Sequence, residues 1–196
     1  MNLPRLLVLT DRTQCAGPLP RAVGAAVEAG ARAVVLREKD LPAGARAALA
    51  AELAGILAPV GGTLIVASHD GADAVHLAAR DPFPCRSRPA LVGRSCHDLA
   101  EVAAAAAEGC DYVTVSPVYP SVSKPGYGPP LGPAGLAALT RTGPPVFALG
   151  GVGPRQVAEC RAAGAHGVAV MGGVMRDPYS VAEYLSALHT TVEDIP

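Results

Sequence analysis

The sequence has almost no excess of charge of either sign. Its 16 basic and 17 acidic residues give a chain of 196 residues a formal net charge of -1 at pH 7. A protein that binds nucleic acid or an anionic membrane through its overall charge needs a clear basic excess, which is lacking here. The composition therefore argues against both partners and favours a small-molecule ligand.

The sequence also has no closely spaced cysteine pair and no long apolar run. Its five cysteines include no C-x-x-C motif, and an odd number fits a disulfide framework poorly, so we expect a reducing, cytoplasmic setting. Residues 47–60 are apolar but interrupted by Glu52, and this stretch is short for a bilayer. Residues 1–5 lack a basic region followed by a long apolar core. We therefore expect neither a membrane span nor a signal peptide.

An internal repeat is the strongest structural signal in the chain. Four segments begin with a glycine, continue with two or three short residues and end in an apolar run: residues 30–34, 71–75, 109–113 and 164–168. In most of them the glycine ends an alanine-rich segment of helical period, as a left-handed C-terminal cap does. Each segment therefore predicts the helix-to-strand joint of a βα repeat.

Eight strands and six helices are predicted around these joints. The strands lack polar alternation, which is typical of parallel strands covered on both faces; they fall at residues 6–10, 33–37, 64–67, 74–77, 90–93, 112–115, 145–149 and 167–170. The helices fall at residues 19–29, 44–57, 99–108, 133–141, 154–163 and 180–189. This order predicts a compact TIM-type (β/α)8 barrel, with residues 1–196 forming a single α/β domain. A doubly wound open sheet is the alternative, because residues 68–73 are too few for a full helix.

Two glycine-rich segments follow the last two predicted strands. Gly150 and Gly151 follow the seventh strand, and residues 171–173, Met-Gly-Gly, follow the eighth. Glycine allows backbone N–H groups to approach an anion closely, and TIM barrels frequently bind phosphate between these two loops. Either pair alone would be interpreted as a turn, but two pairs on consecutive strands predict a phosphate site.

Cationic and hydroxyl side chains follow the second and sixth strands. Arg37 and Lys39 fall on the same side of an extended strand, where they could bind a second anion or form a solvated charge cluster. Residues 116–128 form a long segment rich in proline and glycine that carries Ser121, Ser123 and Lys124. Long loops in a domain of this size usually serve function, so this segment predicts a mobile lid over a charged substrate.

Three histidines and one cysteine need separate interpretation. His69 and His97 follow predicted strands and could act as an acid, a base or a ligand. His76 lies within an apolar strand and is expected to be a hydrogen-bonded core residue. Cys96 adjoins His97, but adjacent strand residues point to opposite faces, which argues against a nucleophile–base pair.

The chain resembles the thiamine phosphate synthase family, and the related TenI-type thiazole tautomerases, along nearly its whole length. The resemblance rests on the order and spacing of seven blocks: LREK at 36–39, AVHL at 74–77 with Asp81, VGRSCH at 92–97, DYV at 111–113, SPVYPSVSK at 116–124, LGGV at 149–152 and GVAVM at 167–171.

The resemblance implies an enzyme that joins hydroxymethylpyrimidine diphosphate to a thiazole phosphate and releases diphosphate. In that family diphosphate departs first and leaves a pyrimidine carbocation for the thiazole nitrogen to capture, so cations and Mg²⁺ carry much of the catalytic burden. By motif position, the implied diphosphate contacts are Arg37, Lys39, Ser95 and Lys124. Asp81 is the implied magnesium ligand. The implied thiazole phosphate contacts are Gly151, Met171 and Gly172, beside Gly150.

The chain departs from the family pattern at several polar positions. The family's glutamine two residues before the arginine is Val35, and its Asn-Asp pair after the third strand is Ala67 and Ser68. Asp70 could replace the lost metal ligand after a local shift. The histidine that a tautomerase can carry after the sixth strand is Pro117.

Three functional hypotheses remain open from the sequence. The first is the synthase. The second is a tautomerase, or another enzyme acting on a thiazole phosphate, with His97 or His69 as its acid–base group and no need for a metal. The third is a non-catalytic binder of thiamine intermediates that retains the barrel. The alanine-rich helices also carry apolar faces that would suit a homodimer interface.

Overall fold

The structure, a computed structural model, describes residues 3–68, 71–85, 87–121, 128–141 and 143–190. Four residues predicted to act in the site, or as its acid–base group, lie outside these ranges: His69, Asp70, Ser123 and Lys124.

Eight parallel strands close into a barrel in which each strand pairs with the next and the last pairs with the first. The strands are β1 (Leu6–Leu9), β2 (Ala33–Leu36), β3 (Thr63–Ala67), β4 (Ala74–Leu77), β5 (Leu91–Cys96), β6 (Tyr112–Val115), β7 (Val146–Leu149) and β8 (Gly167–Val170). The predicted TIM-type barrel is confirmed. The open sheet is wrong, because β1 pairs with β8 in parallel.

Helices cover the outside of this barrel. They are α1 (Leu19–Glu28), α2 (Ala43–Leu57), α3 (Leu99–Glu108), α4 (Gly132–Thr140), α5 (Val157–Ala162), α6 (Gly172–Arg176) and α7 (Val181–His189), with short 3-10 turns at Arg12–Gln14, Ala58–Val60, Pro154–Gln156 and Pro178–Ser180. The four repeat glycines all have positive φ angles. Gly30, Gly109 and Gly164 follow α1, α3 and α5, as the predicted helix-to-strand joints require. The joint predicted at Gly71 is wrong, because this glycine lies between β3 and β4 and follows no helix in the described residues.

The barrel interior is filled by aliphatic side chains around two aromatic rings. Tyr112 and Phe147 are fully buried and meet edge to face with ring centroids 5.5 Å apart. The Tyr112 ring occupies the space where a side chain at Gly93 would lie. A second apolar layer, between the barrel and the helices, forms the larger core. A packed interior of this kind leaves room for a ligand only at the mouth.

Two features differ from the predicted elements. β5 continues to Cys96 instead of ending near residue 93, because residues 94–96 pair with β6. Ser95 therefore lies half-buried inside the barrel, and Arg94 is buried on its outer side. α6 was not predicted, since its Gly-Gly start has low helix propensity. The described part of the β4–β5 connection, residues 78–85 and 87–90, contains no helix.

The segment Ala43–Val60 is long and apolar enough to cross a membrane by length and composition alone, although residues 47–60 within it were predicted to be short for a bilayer. It packs here as an outer barrel helix, with Leu53 and Leu57 buried and with contacts to α1 and β3. Small residues cover most of its exposed side.

Candidate active site

A cavity of about 490 Å³ opens at the carboxyl ends of the strands. It brings together the two predicted parts of the site. One part is the cationic and hydroxyl side chains Arg37, Ser95 and Ser121, and the other is the glycine-rich segments with Gly150, Gly151, Met171 and Gly172. Since these residues are spread over more than 130 positions of sequence, the closed barrel is what makes them neighbours.

Arg37 enters this cavity from the end of β2. Its backbone N–H donates to the Oγ1 of the buried Thr10 at 3.0 Å. Its Nη1 lies 3.1 Å from Sδ of Met171, which follows β8. The Arg37 guanidinium therefore lies next to the glycine-rich loop that follows β8.

The loop after β2 is clamped by Arg12. The backbone N–H and Nη1 of Arg12 donate to the buried carboxylate of Glu38 at 3.1 and 2.9 Å. Its guanidinium also donates to both carboxylate oxygens of Asp40, at 2.7 and 2.6 Å, and these bonds lower the pKa of Asp40. Arg12 thereby holds the segment that carries Arg37 and Lys39. No motif in the sequence pointed to this clamp.

Lys39 and Asp81 meet at the rim of the barrel mouth. Lys39 Nζ lies 3.9 Å from Asp81 Oδ2, which also accepts from the backbone N–H of Ala78 at 2.8 Å. Asp81 lines a smaller neighbouring pocket together with Ser68. Within the described ranges, no group of three or more His, Cys, Asp or Glu side chains could hold a metal ion.

Arg94 supports the loop that carries Asp81. It is buried on the outer side of β5, and its Nη1 donates to the carbonyl oxygens of Ala78, Ala79 and Asp81 at 3.0, 3.1 and 2.8 Å. Its Nη2 forms an ion pair with Glu108 at 2.7 Å. Because three carbonyls converge on one guanidinium, this helix-free connection is held in a defined position.

Ser95 reaches the cavity from inside the barrel and is bonded to His76. His76 Nε2 lies 2.9 Å from Ser95 Oγ, and His76 Nδ1 lies 3.0 Å from the Tyr112 hydroxyl. Burial, reinforced by nearby Arg37 and Lys39, lowers the pKa of His76 from 6.5 to about 3. The predicted core histidine is confirmed as hydrogen-bonded, and it is neutral at physiological pH.

His76 should make the stability of the protein depend on pH. Because the pKa of His76 is depressed in the folded state, this residue does not lower the free energy of unfolding above its unfolded pKa of 6.5. It lowers that free energy increasingly as the pH falls towards about 3, where the folded state also binds the proton. Over that window the free energy of unfolding should fall by roughly 1.4 kcal/mol per pH unit from this group. When the free energy of unfolding is measured with denaturant at several pH values, it should depend less steeply on pH in His76→Gln than in the wild type. His189→Gln, which changes an exposed histidine, should keep the wild-type slope, and equal slopes for all three proteins would contradict the assignment.

The start of the predicted lid is anchored to the loop after β7. The backbone N–H groups of Val118 and Tyr119 donate to the carbonyls of Leu149 and Gly150, each at 2.9 Å. Ser121 lines the cavity just beyond these bonds. These bonds anchor the base of the segment, and residues 122–127 of the predicted mobile lid lie outside the described ranges.

Gly151 has a packing role that the sequence did not reveal. Its φ angle is +64°, and a Cβ atom there would collide with the carbonyl oxygen of Pro120 and lie 2.8 Å from that of Tyr119. A Cβ atom at Gly150, where φ is +93°, would lie 3.0 Å from Cα of Pro117, which is a tight contact without a collision. Both glycines therefore let the β6 and β7 loops pack against each other, in addition to their predicted part in binding phosphate.

His97 and Arg176 complete the polar lining. His97 Nδ1 lies 2.7 Å from the carbonyl oxygen of Ser116; because a carbonyl only accepts, Nδ1 carries the proton and Nε2 is the basic nitrogen. Arg176, at the end of α6, lines the cavity beside Gly172 and Gly173 and donates from Nη1 to Gln14 Oε1 at 2.6 Å. Arg176 was missed because α6 was not predicted and no motif includes it.

Known proteins resemble this chain in sequence and in fold. Residues 6–174 match the family model of thiamine monophosphate synthase. The chain is 41% identical over 176 residues to a thiamine-phosphate synthase of Anaeromyxobacter dehalogenans, covering 83% of this chain and 79% of that protein. It is 33% identical over 205 residues to a thiamine-phosphate synthase of Chloroflexus aurantiacus, covering 97% and 94%.

A solved structure of a thiamine phosphate pyrophosphorylase from Pyrococcus furiosus superimposes with a TM-score of 0.83 at 25% identity, covering 94% of this chain and 95% of that one. The family match spans all eight strands and both glycine-rich loops. The chain therefore belongs to the thiamine monophosphate synthase family.

Proposed function

We propose that this protein is a thiamine phosphate synthase, a transferase that joins hydroxymethylpyrimidine diphosphate to thiazole phosphate and releases diphosphate. The observation that carries the proposal is the joint cavity, in which Arg37, Ser95 and Ser121 face the same space as the two glycine-rich loops. A cavity that binds two phosphorylated substrates needs two anion sites, and here side chains can form one and the backbone of the glycine-rich loops the other.

The glycine-rich loops are assigned to the thiazole phosphate. Backbone N–H groups of Gly151 and of residues 171–173 are the proposed donors, since glycines allow close backbone approach to an anion. Arg176 lines the same corner and adds a guanidinium, which matches phosphate geometry well. A phosphate ion bound elsewhere, with these N–H groups bonded to other partners, would count against this assignment.

The cations and hydroxyls of the mouth are assigned to the diphosphate. Arg37 and Ser95 line the cavity, whereas Lys39 lies outside its lining and next to Asp81. Lys124, which follows the described residues of the lid segment, is proposed to join them by motif position. Donors placed where the departing diphosphate gains charge lower the barrier to its departure.

Magnesium fits this site together with the substrate rather than on protein ligands alone. Asp81 supplies one carboxylate near the mouth, and Mg²⁺ is commonly held by one or two carboxylates plus substrate phosphates. We propose Asp81, with Asp70, as its protein ligands. When bound, the ion would neutralise part of the charge on the diphosphate.

Binding of two anions at once tests the proposal. Thiazole phosphate and inorganic diphosphate with Mg²⁺ should each raise the melting temperature, and together they should raise it further because they occupy different ends of the cavity. At 100-fold excess over Kd, each ligand contributes about 2.7 kcal/mol of apparent stability. Mutually exclusive binding, measured by titration calorimetry, would contradict a synthase cavity.

A thiazole tautomerase is the second candidate, favoured by one observation. His97 lines the cavity, and its Nδ1 proton is held by Ser116, so Nε2 can act as a base. Val35, Ala67 and Ser68 also lack the polar groups of the synthase pattern. A tautomerase should work without Mg²⁺ and without diphosphate, which separates it from the synthase.

The setting of the protein is proposed from its chemistry. All five cysteines are free thiols in the structure, which suits a reducing cytoplasm. The proposed partners are the small phosphorylated substrates alone, without nucleic acid or membrane. A homodimer remains a proposal based on the exposed small-residue side of α2.

A further inference from the structure

Three side chains form a hydrogen-bonded row inside the barrel, below the cavity. The row runs from the Tyr112 hydroxyl to His76 Nδ1 at 3.0 Å and from His76 Nε2 to Ser95 Oγ at 2.9 Å. Tyr112 and His76 are buried and Ser95 is half-buried; His76 and Ser95 both line the cavity, whereas Tyr112 does not. The row therefore connects a sealed core to the ligand space.

The direction of the first bond follows from the burial of Tyr112. In the described part of the chain, the Tyr112 hydroxyl has one hydrogen-bond partner, His76 Nδ1. If Nδ1 carried the proton, the phenol proton would be left without an acceptor in a fully buried place, which typically costs about 1–3 kcal/mol. Tyr112 therefore donates and Nδ1 accepts.

The tautomer of His76 follows from that direction. Burial keeps the imidazole neutral, since its pKa is lowered to about 3. A neutral imidazole whose Nδ1 accepts must carry its proton on Nε2. Nε2 then donates to Ser95 Oγ, with Thr114 Oγ1 farther away at 3.4 Å.

We infer that Tyr112 and His76 are positioning residues that fix Ser95 as a hydrogen-bond donor towards the cavity. Ser95 Oγ already accepts from His76, so its own proton is available for an acceptor in the ligand. The opposite tautomer would take up the Ser95 proton and leave only lone pairs facing the ligand. The row thus selects an anionic oxygen over an amino group at this position.

The ring positions are fixed by the residues around them. Tyr112 stacks on His76 with centroids 5.5 Å apart and an interplanar angle of 26°. The absence of a side chain at Gly93 gives the phenol ring its place. Arg37 lines the same cavity, so a cation and the Ser95 hydroxyl face one ligand space.

Nitrogen NMR tests the direction of the row without any assay of activity. With ¹⁵N-labelled histidine, His76 should show a protonated Nε2 and an unprotonated Nδ1, and His76→Gln assigns its signals. Tyr112→Phe should convert His76 wholly or partly to the other tautomer, whereas Tyr179→Phe, at an exposed tyrosine, should leave it unchanged. A protonated Nδ1 in the wild-type protein would overturn the inference.

A kinetic cycle tests the consequence and rests on the proposed function for its substrate. Tyr112→Phe should lower kcat by about tenfold with little change in KM for thiazole phosphate. When Tyr112→Phe is added to the Ser95→Ala variant, kcat should hardly change further. When it is added to Ser95→Thr, which keeps the hydroxyl, kcat should again fall. An equal loss in the Ser95→Ala protein would show a merely structural role and overturn the inference. A wild-type protein without synthase turnover would refute the proposed function, and the NMR result would still decide the direction of the row.

Discussion

Replacement of Lys124 by alanine is expected to lower the rate of the chemical step by about a hundredfold or more, the usual cost of losing a donor to developing negative charge. Lys124 is one of only two lysines in the chain, and it closely follows Ser121, which lines the cavity. Because its interaction strengthens as diphosphate departs, kcat should fall while the affinity for thiazole phosphate stays nearly constant. Single-turnover kinetics and calorimetry measure the two quantities separately.

A charge-matched control removes a general electrostatic explanation. Arg21→Ala changes an exposed residue of α1 and makes the same change in net charge, so its turnover should equal that of the wild type. If Lys124→Ala keeps full synthase turnover, the synthase mechanism assigned to the lid segment is wrong. A tautomerase or a binder that uses only the glycine-rich corner should also lose little.

Replacement of Gly151 by alanine is expected to lower both stability and binding of thiazole phosphate. A left-handed non-glycine residue typically costs about 1–3 kcal/mol, and here the new Cβ would also push against the carbonyls of Pro120 and Tyr119. The base of the lid must then move away from the β7 loop, which displaces Ser121 and opens the phosphate corner. We expect the affinity for thiazole phosphate to fall by roughly tenfold to a hundredfold, since about 1.4 kcal/mol corresponds to tenfold.

The structure supplies a control that isolates the collision from the backbone strain. Gly61 has φ +62°, nearly the angle of Gly151, but a Cβ atom there would meet nothing within 4 Å. It precedes β3, at the opposite end of the barrel from the cavity. Gly61→Ala should therefore lose stability without loss of affinity. Equal affinities for the two variants would show that the loop contact at Gly151 does not shape the site.

The fold could be predicted from the sequence because each βα joint repeats the same local physics. A glycine in the left-handed region ends a helix, and a short apolar strand follows, as in residues 109–113. The residues that follow the carboxyl ends of the strands are then predicted to form the mouth of the barrel. Arg37, Gly151 and Met171 were found in this way, and Ser95 was implied by the family resemblance. The structure brings all four to one cavity.

The supports of the site could not be predicted because they depend on contacts between distant strands. Arg12 meets Glu38 across 26 positions, and His76 meets Tyr112 across 36. No role was assigned to Arg94 from the sequence, yet this residue holds the loop of Asp81. Such partners leave no periodic signal in a sequence, since burial and geometry alone make them partners.

The role of glycine shows a further limit of the sequence. Gly150 and Gly151 were predicted from their suitability for anions, whereas the structure also shows two close loop contacts at these positions. A motif reports which residue is needed and does not separate packing from binding. The comparison of Gly151→Ala with Gly61→Ala makes that separation.

Synthase turnover tests the central claim most directly. The wild-type protein should be incubated with hydroxymethylpyrimidine diphosphate and thiazole phosphate, with and without Mg²⁺, and the products followed by mass spectrometry. We predict that thiamine phosphate and diphosphate form in equal amounts when Mg²⁺ is present and that formation nearly stops when the ion is chelated. Absence of thiamine phosphate in the presence of Mg²⁺ and both substrates would contradict the proposed function.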